Sequence, residues 1–151
     1  VAVIASPRRE VIGFSPYEHR IAMLKSGILN PKILDLLARV RHTNLLAIAD
    51  RGFPFWPQIE TVDISLVDDI PTVLDVVAAI RPNFVIAEAW MAEEFLRHND
   101  EPTQLRFQHA LAGLNVGYLA HVELKRRIPA VTGLIRTADT VQYANLLLSS
   151  G

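Results

Sequence analysis

Apolar residues in this chain gather in short runs that alternate with broader stripes at helical spacing. The most informative run is Leu45–Ala49, which has no polar side chain. His42-Thr43-Asn44 precedes it and Asp50-Arg51-Gly52-Phe53-Pro54 follows it. Its length suits one buried strand, and the Gly and Pro beyond it turn the chain. Titratable groups therefore stand at both ends of the strand, where loops on rigid scaffolds usually carry chemistry. Ile33, Leu34, Leu36, Leu37 and Val40 mark a helix, opened by Asn30 as N-cap and Pro31 at the first helical position. Thr61–Leu66 alternates weakly and reads as a strand or a loop edge. Asp69 and Pro71 announce a second helix with Val73, Leu74, Val76, Val77 and Ile80 as its core face, stopped by Pro82.

Phe84–Ala87 reads as a further strand and runs into Glu88–Glu94, where strand and helix compete. A helix over 102–113 and a strand over 116–120 follow, the strand ending at His121. A short basic helix over 122–128 is stopped by Pro129, and 133–136 and 144–148 read as two closing strands. This alternation predicts an α/β layered fold, a largely parallel sheet flanked by helices in a single domain. Residues 1–22 lack a sustained period and read as an N-terminal arm or extension, with Met23 as a natural start and 23–151 as the domain.

At 151 residues, half of them hydrophobic, the chain can build a real core. Its formal net charge of -1 gives no electrostatic footprint for nucleic acid or an anionic membrane. No apolar run approaches the roughly 18 residues of a membrane span. There is no cysteine, which excludes disulfides, thiolate nucleophiles and zinc ribbons and suits a cytoplasmic protein.

Phosphate-cradling glycine loops, HExxH and calcium-loop patterns are absent. The histidines, His19, His42, His98, His109 and His121, include no pair at the spacing of a helical metal site. Acid–base chemistry by His, Asp and Tyr remains, without metal or cofactor. Tyr143 and Asn145 stand two residues apart at the start of an expected strand, so they would face one side. A phenol and an amide together suit hydroxyl groups. His121 is the third feature, at the head of a helix. Each has a plainer reading. His42 suits a helix C-cap or a buried, satisfied histidine, and Asp50 a turn before Gly-x-Pro. Phe53-Pro54-Phe55-Trp56-Pro57 suits a core or subunit contact better than a binding wall. Lys125-Arg126-Arg127, His19, His98 and His109 read as solvated.

The order His42, Asp50-x-Gly52-x-Pro54, Val62-Asp63-x-x-Leu66, Pro71-x-x-Leu74, His121 and Tyr143-Ala144-Asn145 resembles the D-ribose pyranase and L-fucose mutarotase family. The resemblance runs from about Met23 to Ser149, and Gly27-Ile28-Leu29-Asn30 is similar to that family's start. It implies a cofactor-free enzyme exchanging the ring forms or anomers of a monosaccharide of the ribose or fucose class. It also implies a ring-shaped homo-oligomer in the octamer-to-decamer range, with sites at subunit contacts. By position His42 matches the proton donor, and Asp50, His121, Tyr143 and Asn145 match substrate-binding positions. Gly52 and the Tyr-Ala-Asn triplet lie nearer the ribose branch.

Arg41, Asn44, Arg51 and Ala138-Asp139 depart from the family pattern, and Phe53, Phe55 and Trp56 would crowd a pentose pocket. These departures leave room for a non-catalytic sugar-binding or transport-associated module on the same scaffold, or for a purely structural ring. Distance adds a constraint. A fully extended chain at ~3.3 Å per residue puts His42 and Asp50 roughly 26 Å apart. Either the chain bends near Thr43, or neighbouring subunits supply the two groups; the second is expected.

Overall fold

The computed structural model describes residues 27–151. The arm expected over 1–22, the start at Met23 and His19 lie outside the described residues. The chain first forms α1 (Pro31–Arg39), β1 (Leu45–Ala49), β2 (Thr61–Asp63), α2 (Val73–Ile80) and β3 (Ile86–Ala92). It continues with α3 (Glu93–His98), α4 (Glu101–Ala110), β4 (Asn115–Leu119), α5 (His121–Arg127), β5 (Val131–Arg136) and β6 (Leu146–Ser150). A single 3-10 turn, Ile128–Ala130, links α5 to β5.

The strands form one six-stranded sheet in the order β2-β5-β1-β6-β3-β4. The β2–β5, β5–β1 and β3–β4 pairs are parallel, whereas β6 runs antiparallel to both β1 and β3. Five strands thus point one way, and one reversed strand is inserted at the centre. The layered, largely parallel α/β architecture expected from the sequence is the one observed.

Period-two alternation sends the apolar residues of β1 and the Leu146–Leu148 run of β6 to both faces of the sheet. Leu46, Ile48, Leu146 and Leu148 face α1, α2 and Phe107 of α4. Ala47, Ala49 and Leu147 face the opposite layer of Phe53, Ile59 and Ile128. Both faces are covered, so neither set is polar. Asn30 caps α1 by accepting the N–H groups of Lys32 and Ile33. Thr72, rather than Asp69, caps α2 in a capping box with Asp75. Leu36 of α1 packs so closely on β5 that a Cβ on Gly133 would sit 2.5 Å from its Cδ1.

Some element boundaries differ from the sequence expectation. β2 ends at Asp63 because Asp63 folds back to accept the N–H of Ser65. β3 starts at Ile86 and continues to Ala92 because it is paired on both sides, by β4 and β6. The last strand starts at Leu146. Tyr143 and Asn145 therefore do not share a strand face: Tyr143 sits in a turn with left-handed backbone (φ 57) and Asn145 is buried just before β6.

Candidate functional site

The carboxyl ends of β1, β3, β4 and β5 and the amino end of β6 meet on one edge of the sheet. Open α/β sheets bind ligands at such carboxyl ends. A cleft of about 440 Å³ opens there, lined by Asp50, His121, Tyr143 and Asn145 together with Lys125 and Thr140. Its size falls within the ordinary range for small-ligand sites, roughly 300–1,000 Å³.

Asp50 and Asn145 lock to each other. Asp50 N–H donates to Asn145 Oδ1 at 2.9 Å, and Asn145 Nδ2 donates to Asp50 Oδ2 at 3.1 Å. The other carboxylate oxygen of Asp50 accepts the N–H of Gly52 at 2.9 Å. The antiparallel insertion of β6 beside β1 makes this contact possible between residues so distant in sequence. Burial pushes the Asp50 carboxyl above the usual range; the Gly52 N–H and Asn145 amide pull it back, while the charge of Asp139 adds to the rise.

His121 opens α5, and its backbone N–H donates to Glu94 at 2.8 Å. Its ring stands edge-on to Tyr143, with centroids 5.1 Å apart, and edge-on to Phe53 at 6.4 Å. Burial first, and then the charge of Lys125, lower its pKa, against an opposing pull from Glu94. Its Nδ1 is buried without a hydrogen-bond partner. A buried polar atom in a cleft wall is costly unless something bonds it, and a ligand hydroxyl would do so.

Asp139, itself buried, builds the loop that carries Tyr143. It accepts the N–H groups of Val73 and Val141, both at 2.8 Å, and its carbonyl accepts the N–H of Arg51 at 3.1 Å. The hydroxyl of Thr137 bonds Ala49 O and accepts the N–H of Asp139, tying this loop to the end of β1.

Asp50, His121, Tyr143 and Asn145 are thus brought together. His42 is not. It lies exposed in the Arg41–Asn44 turn at the opposite end of β1. That turn closes through Arg41 N–H to Asn44 Oδ1 and Asn44 N–H to Arg41 O, both 2.9 Å, and Thr43 holds φ 66. Backbone bonds between Thr43, Asn44 and Ser150 at 3.0 Å staple it to the end of β6. The turn at Thr43 does not fold His42 back to the cleft.

The expected crowding is partial. Phe53 is buried in the second core layer, packs edge-on against His121 and lines the cleft wall. Phe55 is exposed and Trp56 packs against the core. Arg51 is engaged in an ion pair with Asp68. Sequence reasoning missed Lys125, assigned to a solvated basic run. Its spacing of one helical turn from His121 was the available signal; Arg127 instead covers the ring of Trp90 and Arg126 pairs with Glu123. Among the described residues no cluster of His, Asp and Glu could hold a metal ion, and no helix is long and apolar enough to cross a membrane.

Replacing Lys125 with Met is expected to raise the His121 pKa toward its ordinary value, because a like charge is removed. The NMR titration of the His121 ring protons reads this, and an unmoved titration contradicts it. A histidine whose pKa is depressed by folding contributes stability that is present above its unfolded pKa of ~6.5 and is lost as pH falls through that value toward the depressed one. The urea midpoint should therefore fall on acidification below about pH 6.5 and fall less in His121→Gln.

Residues 23–151 match the RbsD / FucU transport protein family. The D-ribose pyranase of Corynebacterium glutamicum (strain R) is 36% identical over 129 residues, covering 85% of this chain and 98% of its own. The D-ribose pyranase of Chromobacterium violaceum is likewise 36% identical over the same length and coverage. The structure of Bacillus subtilis RbsD complexed with D-ribose superimposes with a TM-score of 0.78 at 29% identity, covering 85% of this chain and 98% of that one. The fucose mutarotase of Streptococcus pneumoniae, in complex with L-fucose, shares the fold at 16% identity and a TM-score of 0.68, over 81% of this chain and 92% of that one.

Proposed function

The chain belongs to the RbsD / FucU transport protein family, and from that membership we propose that it is a cofactor-free isomerase interconverting ring forms of a monosaccharide such as D-ribose. The carrying observation is the convergence of the Asp50–Asn145 lock, Tyr143 and His121 on one cleft at the carboxyl ends of the strands.

Ring opening of an aldopyranose breaks the bond between the anomeric carbon and the ring oxygen. The ring oxygen gains a proton, the anomeric hydroxyl loses one, and the aldehyde forms. Closure through another hydroxyl gives the furanose; closure on the other carbonyl face gives the other anomer. No electrons leave or enter, so the step asks only for positioned proton donors and acceptors, which typically contribute roughly 10²–10⁴ in rate. In this reading Asp50, Asn145 and Tyr143 hold sugar hydroxyls and orient the ring. His121, with its depressed pKa and unpartnered Nδ1, stays neutral at neutral pH and bonds a hydroxyl.

His42 is the proton donor. Because it stands beyond the far end of β1 from its own cleft, it serves the cleft of a neighbouring copy in a closed homo-oligomer. That shared site makes assembly a requirement of catalysis.

Saturation-transfer NMR over a panel including ribose and fucose tests the reading. Magnetisation exchanging between ring forms faster than in buffer is the expected result. Binding without accelerated exchange would instead favour a sugar-binding module.

A further inference from the structure

Tyr143 has two aromatic neighbours. On the cleft side stands His121, already described. The second is His98, the last residue of α3, which lies 5.1 Å away by ring centroids at an interplanar angle of 35°. The next residue, Asn99, donates from its amide to Phe95 O at 2.9 Å and to Gln142 O at 2.8 Å. Asn99 thus joins the end of α3 to the peptide immediately before Tyr143. The end of α3 is itself pinned: Gln104 of α4 donates to Leu96 O at 2.9 Å and to Asn99 O at 2.8 Å.

This bracket meets a backbone that needs one. Tyr143 holds φ 57. A bulky residue in the left-handed region is disfavoured and persists only where its surroundings over-determine it. Asp139 fixes the loop on one side through Val141, and Asn99 fixes it on the other through Gln142. Neither contact touches the ring; the His98 imidazole lies against it and restricts how far it can swing.

We propose that His98 and Asn99 are positioning residues that hold Tyr143 in its sugar-binding orientation, His98 by its tilted contact with the ring and Asn99 by bonding the preceding carbonyl. The inference rests on the reading of Tyr143 as a sugar-binding group. It makes sugar affinity depend on the α3–α4 corner, which lines no part of the cleft.

The test compares His98→Ala, His98→Phe and Asn99→Ala in the full chain, with His109→Ala on the exposed side of α4 as the control. A lost aromatic contact of ordinary strength corresponds to about a three- to tenfold rise in KM, with kcat within about twofold. His98→Ala and Asn99→Ala should show it, His98→Phe should restore wild-type KM, and His109→Ala should leave KM unchanged. In sugar-free protein the Tyr143 ring proton shifts should move in His98→Ala and return toward wild type in His98→Phe. Unchanged KM and unchanged Tyr143 ring signals in His98→Ala overturn the proposal. So does an equal loss in His98→Ala and His98→Phe, which would mark a general folding defect. Should the wild-type protein exchange no sugar, the functional reading fails by itself, and the Tyr143 ring signals still decide the bracket.

Discussion

His42→Ala is expected to slow ring exchange by about 10²–10⁴-fold, the usual contribution of a positioned general acid–base group. The sugar dissociation constant should change far less, because the proposed sugar cleft, lined by Asp50, His121, Tyr143 and Asn145, lies at the other end of β1. The fold should also tolerate the change. The Arg41–Asn44 turn is closed by backbone groups and the Asn44 side chain, and the exposed His42 imidazole takes no part in that closure. A folded variant that binds sugar but no longer exchanges it would separate proton transfer from recognition. Wild-type exchange in His42→Ala would remove the proposed donor.

Asp139→Ala carries the largest expected cost in stability. The carboxylate is buried and accepts two backbone N–H groups, one from the first turn of α2 and one from the loop leading to Tyr143. Each N–H left without an acceptor costs about 1–3 kcal/mol when buried. Val141 is only partly buried, so the sum is about 2–4 kcal/mol. Urea unfolding should report that loss, and Asp139→Asn, which keeps one acceptor oxygen, about half of it. Loosening this loop also frees Tyr143, so the surviving folded protein should bind sugar more weakly. Full stability in Asp139→Ala would mean that other acceptors replace the carboxylate.

Much of the architecture was legible because local signals agreed with the tertiary result. Leu45–Ala49 had no polar position to offer solvent, and it became the strand covered on both faces. Asn30-Pro31 opened α1 where the cap geometry placed it. The segment 88–94 is ambiguous in sequence for a physical reason. Ala, Glu and Met favour helix, and only pairing with β4 and β6 makes residues 88–92 extended, which no window of sequence contains. Tyr143 reads as the start of a strand because nothing near it in sequence signals a left-handed turn. No glycine or Asn-Gly pair is present, and distant residues such as Asp139 and Asn99 impose the conformation.

The site divided in the same way. Asp50 and Asn145 were recognisable by position, but their mutual lock depends on the reversed insertion of β6. Lys125 was hidden in a basic run in which net charge does not tell which cation faces the cleft. His98 read as an ordinary surface histidine. It is exposed, and its contact with Tyr143 comes only from the packing of α3 against the loop before β6.

Mixed assemblies test the shared site most directly. His42→Ala and Asn145→Ala chains, each impaired alone, are co-expressed with different tags and purified as hetero-oligomers. If one copy gives the imidazole and its neighbour the cleft, random assortment restores about a quarter of wild-type exchange, because a contact between an intact donor and an intact cleft then exists. Mixed oligomers no more active than the two parents, or a dilute monomer that exchanges sugar at the wild-type rate, would contradict it.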